Sequence, residues 1–195
     1  MANDKYERRM MDMRAVENGD KMTIEGYAIV FEQPATHGGF TETIARGALV
    51  GADMTNVPLR YNHNDSVMVM ARTKNGSLRL REDMKGLLIA ADLIDTQTNR
   101  DLYKGIKEGL IDKMSFAFTV AEGGDSWEFF NDGSAKRTVT KIEKLYDVSV
   151  VDAPFYDGTS IYARSLEVMD VAKRRVDALR ELEVLKEKIK VKGKV

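Results

Sequence analysis

Between Met114 and Val120 the side chains alternate in size at every step. Met114, Phe116, Phe118 and Val120 are bulky, whereas Ser115, Ala117 and Thr119 are small. Successive residues of a strand point to opposite faces, so the segment reads as a strand with one filled face and one face that leaves room. A serine on the roomy side looks into a shallow groove, although small residues on a strand also serve simply to let a neighbouring element approach.

Other segments repeat the strand signal. Thr23 to Phe31 is rich in β-branched and aromatic residues, Val57 to Tyr61 is a short strand that delivers His63, and Leu87 to Ala91 has strand length. Val67–Arg72 and Ser77–Glu82 are expected to form a hairpin through Lys74-Asn75-Gly76, because Asn-Gly favours tight turns. Gly123 to Lys136 reads as a long hairpin excursion. Thr138 to Val151 is too long for a straight strand and predicts a bend or bulge. Two helical segments interrupt the strands: a short one over Ile44–Met54, and one capped by Asp95 or Thr98 that runs to Glu108 and stops at Gly109.

After Ala163 the period changes. Arg164 to Lys192 contains neither glycine nor proline, and Leu166, Met169, Val176, Leu179, Leu182, Leu185 and Ile189 follow helical spacing among charges. The chain therefore divides into a polar, methionine-rich arm over 1–13, expected to be flexible, a β-dominated α+β domain over 14–163 and an amphipathic helical tail over 164–195. At 195 residues this is one core with an appendage.

Composition removes several function classes. Lys plus Arg is 30 against 31 for Asp plus Glu, so no net field draws the chain to nucleic acid or an anionic membrane. No apolar run reaches the ~20 residues that span a bilayer. Met-Ala-Asn-Asp-Lys-Tyr at the N-terminus has no apolar signal core, so secretion is not expected. Two separated histidines and no cysteine make no metal cluster of known spacing, and no phosphate-binding loop or dinucleotide fingerprint occurs.

If the chain works by covalent catalysis, thiol chemistry is excluded, and a serine is one candidate nucleophile. Its hydroxyl needs a base within hydrogen-bond reach, and histidine titrates in the right range. His63, in Tyr61-Asn62-His63-Asn64-Asp65, sits in a polar loop after a strand, whereas His37 lies in a glycine-rich loop and reads as a surface residue. Ser115 is the serine on the roomy strand face; Ser149 and Ser160 rival it by residue type only. Leu145-Tyr146-Asp147-Val148-Ser149-Val150-Val151-Asp152 offers a carboxylate that could orient the imidazole.

Four blocks, in order, resemble the prohead maturation proteases of tailed phages, the HK97-type family related in fold to the herpesvirus assemblins. They are Glu42-Thr43-Ile44-Ala45-Arg46-Gly47-Ala48, Asn62-His63-Asn64 followed by Ala71-Arg72-Thr73, Lys113-Met114-Ser115-Phe116-Ala117-Phe118, and Tyr146-Asp147-Val148-Ser149-Val150-Val151 with Ala153-Pro154. The resemblance covers roughly residues 14–163 and leaves the tail out. It implies an assemblin-like β-barrel with surrounding helices, Ser115 as nucleophile, His63 as base and Asp147 as the third member. Glu143, on the same face of a straight strand, is the rival for that place, and Asp152 and Asp65 are more distant ones. Arg72 stays outside the site. No G-x-S-x-G elbow surrounds Ser115, which argues against a small-molecule esterase.

The activity so implied is that of a serine endopeptidase without cofactor, acting on the major capsid protein's extension, on scaffold segments and on itself. It would work inside the assembling prohead, in the cytoplasm of an infected or prophage-carrying bacterium. The alternative is a catalytically silent scaffold or capsid-binding module on the same barrel. An isolated helix of the tail's length is marginal in water, so the tail is expected to pack on the barrel, on a second copy or on a scaffold helix.

Overall fold

Short β-branched and aromatic runs, punctuated by turns, fold into twelve strands among the described residues. The structure, a computed structural model, describes residues 7–18, 21–37, 40–152 and 159–192. In chain order the elements are β1 (Glu7–Asn18), β2 (Lys21–Val30), β3 (Ala35–His37), β4 (Phe40–Ile44), β5 (Pro58–Tyr61), β6 (Ala71–Arg72), β7 (Leu78–Glu82), β8 (Gly86–Leu93), α1 (Gln97–Lys107), β9 (Lys113–Val120), β10 (Asp125–Phe129), β11 (Ala135–Val139), β12 (Ile142–Val151) and α2 (Thr159–Lys192).

Eight strands form one sheet in the order β6-β5-β12-β9-β1-β2-β8-β7. Its two edge strands, β6 and β7, are joined by a short turn and approach each other, so the sheet curls into a nearly closed barrel. The fold is thus the β-dominated α+β barrel implied by the sequence. Its interior is filled by Ile24, Ile29, Leu59, Leu87, Ile89, Met114, Phe116, Phe118, Leu145 and Val148, all buried. Phe116 and Phe118 stack at 5.1 Å between ring centroids, and each side chain of this kind contributes about 1.5–3 kcal/mol when fully buried.

A second sheet, in the order β10-β11-β4-β3, packs the Gly123–Lys136 excursion as the β10–β11 hairpin and joins β4 to β11 in parallel. At its centre Arg137 donates to Glu42 at 2.9 Å and to Asp125 at 2.8 Å. Glu42 and Arg137 are only 2% and 3% exposed. The acidic residue of the first family block is therefore half of a buried ion pair.

Four local expectations are corrected. Residues 7–13, assigned to a flexible arm, belong to β1, which pairs with both β2 and β9; the methionines of this polar stretch hid a sheet-centre strand. Residues 1–6 lie outside the described residues. Ile44–Met54 is not helical: Gly47 and Gly51 both take φ +81, and single i→i+3 bonds such as Ala48 N–H to Ala45 O (3.1 Å) give consecutive turns instead. Lys74-Asn75-Gly76 does not close a hairpin, since β6 pairs with β5 and β7 with β8; the turn links the barrel's edges. Helix α1 is capped by neither Asp95 nor Thr98 but by Thr96, whose side chain accepts the Asn99 N–H at 3.2 Å. Asp95 instead pairs with Arg100.

Helix α2 begins at Thr159 rather than Arg164. Its Val168, Val171, Ala172 and Leu179 line a groove against Trp127 of β10. Farther along, Leu182, Leu185 and Ile189 stand exposed. Among the described residues no helix is long and apolar enough to cross a membrane.

Candidate active site

The site begins with the way β5 ends. This strand runs parallel to β12, with Leu59, Arg60 and Tyr61 opposite Val148, Ser149 and Val150, and the ladder extends one step through Asn62 N–H to Val150 O at 2.8 Å. Asn62 and His63 then both enter the left-handed region, at φ 51 and 53. Two such non-glycine residues cost roughly 1–3 kcal/mol each and persist only when their surroundings hold them. Here Asn62 is clamped to Asp152: its Nδ2 donates to the carboxylate at 3.0 Å, and its Oδ1 accepts the Asp152 N–H at 3.3 Å. Tyr61 adds a hydroxyl bond to the same carboxylate at 2.5 Å. That bond to Asp152 is the main reason the Tyr61 phenol is held above its ordinary pKa.

The left-handed turn folds the His63 ring back over β12. Its Nδ1 lies 2.6 Å from Asp147 Oδ1, and its Nε2 lies 2.8 Å from Ser115 Oγ. Ser115 comes from β9 and Asp147 from β12, so the three side chains singled out from the sequence converge from three separate segments. His63, Ser115 and Asp147 are 7%, 3% and 3% exposed. With the proton on Nδ1 directed to Asp147, Nε2 presents its lone pair to the serine hydroxyl.

Asp147 reaches this face because β12 is bulged twice. Cross-strand partners share a face, and Ile142 and Leu145 lie opposite Val120 and Phe118 on the core side. The register shifts between Ile142 and Lys144, and again between Leu145 and Asp147, leaving Glu143 and Tyr146 as the extra residues. In a straight strand Asp147 would follow Leu145 into the core. The second bulge instead sets it opposite Ala117, on the roomy face of β9. Glu143, the rival third member, is displaced by the first bulge and lies exposed, 3.4 Å from the Thr119 hydroxyl.

The remaining candidates fall elsewhere. Asp65 is exposed and pairs with Arg60 at 2.9 Å, and Asp152 belongs to the Asn62 clamp. Arg72 donates to Asn56 at 3.0 Å. The side chains of His37 and Ser160 lie outside the described residues. Among the described residues no group of three or more His, Cys, Asp or Glu could hold a metal.

Two features escaped the sequence reading. The Asn62–Asp152 clamp joins positions far apart in the chain and has no local signature. Ser149, weighed only as a rival nucleophile, sits on the other side of the imidazole and touches both His63 and Asp147. Its place two residues after Asp147 was the available signal, because residues i and i+2 of a strand share a face.

A family model described as caudovirus prohead serine protease matches residues 9–174. No curated protein sequence matches significantly. Among solved structures, the capsid assembly protease of bacteriophage T4 is similar over 77% of this chain and 99% of its own, at 13% identity and a TM-score of 0.48. The family match starts inside β1, runs through the segments that supply His63, Ser115 and Asp147, and ends inside α2. On that extent, the chain belongs to the caudovirus prohead serine proteases.

Proposed function

We propose that this prohead protease cleaves peptide bonds through an acyl-enzyme on Ser115, with His63 as general base and Asp147 as the group that orients it. The observation that carries the reading is the unbroken chain from Asp147 through Nδ1 and Nε2 to Ser115 Oγ, at 2.6 and 2.8 Å. Ser115 Oγ attacks the scissile carbonyl carbon while its proton passes to His63 Nε2. Asp147 accepts the Nδ1–H and stabilises the imidazolium. Collapse of the tetrahedral intermediate expels the amine, which takes the proton from Nε2. Water then repeats the sequence on the ester and frees Ser115. A silent capsid-binding module gains no support, since all three side chains lie within hydrogen-bond reach.

The substrates we assign are proteins of the assembling head: scaffold segments, an extension of the coat protein, and the chain itself. The reaction takes place inside the prohead, in the cytoplasm of the infected or prophage-carrying host. We assign to α2 beyond Leu179, with its exposed Leu182, Leu185 and Ile189, the contact with an assembly protein that brings the enzyme into the shell.

Co-expression with candidate coat and scaffold proteins, read by intact mass, tests this directly. The wild-type chain should yield shortened products and Ser115→Ala none. Processing by the Ser115→Ala protein would overturn the assignment. Removal of residues 165–195 should leave the barrel folded but missing from assembled shells.

A further inference from the structure

We infer that Ser149 is a positioning residue, a fourth member of the site that locks His63 and Asp147 into their working arrangement; this rests on the reading of Ser115, His63 and Asp147 given above. Ser149 is the cross-strand partner of Ser115, yet its hydroxyl lies on the Nδ1 side of the ring. It donates to Asp147 Oδ1 at 2.8 Å, the oxygen that also faces Nδ1. It accepts the His63 backbone N–H at 3.3 Å and lies 3.2 Å from Nδ1. One hydroxyl therefore joins the backbone of the base to the carboxylate that orients it.

Each of these bonds has a reason to matter. Ser149 is 0% exposed, so no water replaces its hydroxyl, and without it the buried His63 N–H would lose an acceptor. That N–H belongs to a residue held at φ 53, where any slackening swings the ring away from Ser115. Asp147 stands just after a bulge, where ladder pairing fixes the backbone less firmly. A donor from the next residue on the same face selects the carboxylate rotamer that meets Nδ1. Ser149 cannot act as a rival nucleophile, because its proton is directed to Asp147 and not to Nε2.

The test uses the full chain and a fluorophosphonate probe. Ser115 Oγ forms a bond to phosphorus, the P–F bond breaks, fluoride leaves, and the serine proton passes to Nε2. Ser149→Ala should be labelled more slowly by a factor on the order of 10–100, by analogy with the loss when a partner that orients a metal-ligating imidazole is removed. Its thermal unfolding should stay close to wild type. Ser149→Thr, which keeps the hydroxyl, should recover most of the rate. With only two histidines in the chain, ¹⁵N-histidine labelling isolates the Nδ1 proton of His63, which should be far downfield in wild type and broadened or lost in Ser149→Ala.

Labelling of Ser149→Ala at the wild-type rate, with the downfield proton intact, would overturn the positioning role while leaving the triad standing. Failure of the wild-type chain to be labelled at Ser115 would overturn both. If Ser149→Ala does not fold, Ser149→Cys, of similar shape and with a weak donor, takes its place and should also be slow; a wild-type rate in that variant would count against the role.

Discussion

Ser115 and Ser149 face each other across the β9–β12 ladder, and the His63 ring contacts both, Nε2 at 2.8 Å from Ser115 and Nδ1 at 3.2 Å from Ser149. Two serines on one sheet face are chemically alike. What separates them is which ring nitrogen each meets. The nitrogen opposite Asp147 serves Ser115, and the nitrogen beside Asp147 serves Ser149. The left-handed turn at Asn62-His63 and the bulge before Asp147 are the two backbone devices that make this division.

The division predicts unequal roles for the two acids on β12. Asp147→Asn should lower kcat by a factor on the order of 10⁴, because an amide cannot hold the imidazole in the required tautomer. Glu143→Gln should change it by no more than about twofold, the usual scale for an exposed substitution. Steady-state rates on one cleavable peptide compare the two, and a reversed order would assign the orienting carboxylate to Glu143.

Support for the bulged strand has a pH signature. Asp53 accepts the Thr55 hydroxyl at 2.7 Å and meets Lys144 at 3.0 Å, next to the first bulge. The Thr55 bonds first, and then Lys144, lower its carboxyl to about 2. A carboxyl held below its unfolded value stabilises the fold above the ordinary range near 3.8 and loses that contribution as pH falls through about 2. Wild type should therefore lose more stability than Asp53→Asn between pH 4 and pH 2 in urea titrations. Parallel curves for the two proteins would remove Asp53 from the account.

The strands and the tail were legible because their periods are simple. Alternating sizes in Met114–Val120 and the glycine-free helical spacing after Ala163 each express one local rule. The residue types of the candidate site, which the structure brings together, stood out in the matched blocks, but their geometry did not. The choice between Glu143 and Asp147 depends on two bulges, and a bulge inserts a residue without any fixed sequence mark. The Asn62–Asp152 clamp and the Ser149 bridge are long-range contacts between polar residues common in loops and strands. The arm failed for a related reason: β1 draws its strand character from pairing, with β9 over Glu7–Asp12 and with β2 over Met13–Asn18, rather than from its own propensity.

The buried pair in the second sheet predicts a large stability effect away from the site. Glu42→Gln removes one of the two carboxylates that pair with buried Arg137 and leaves Asp125 in place, so the loss should lie below the roughly 3–5 kcal/mol of a fully broken buried pair and above the roughly 1 kcal/mol of an exposed one. Urea denaturation of the two proteins measures it. A loss below about 1 kcal/mol would mean that the remaining partners of Arg137, Asp125 among them, satisfy it without Glu42.

Helix α2 should divide at Leu179. Removing residues 180–195 deletes exposed Leu182, Leu185 and Ile189 and should move Tm by less than about 2 °C, whereas removing 165–195 also strips the groove against Trp127 and should lower it by roughly 4 °C or more. Calorimetry separates the two truncations. Equal shifts would show that the exposed half packs on something in solution, a second copy being the first partner to examine by sedimentation.

The central claim is that Ser115, activated through His63, is the nucleophile. Peptide mapping of the full chain after reaction with a fluorophosphonate addresses it most directly. The account predicts a single adduct on the peptide carrying Ser115, absent in Ser115→Ala and reduced by a factor of roughly 10⁴–10⁶ in rate in His63→Ala. An adduct on Ser149 or another serine, or labelling of Ser115 at an undiminished rate without His63, would contradict it.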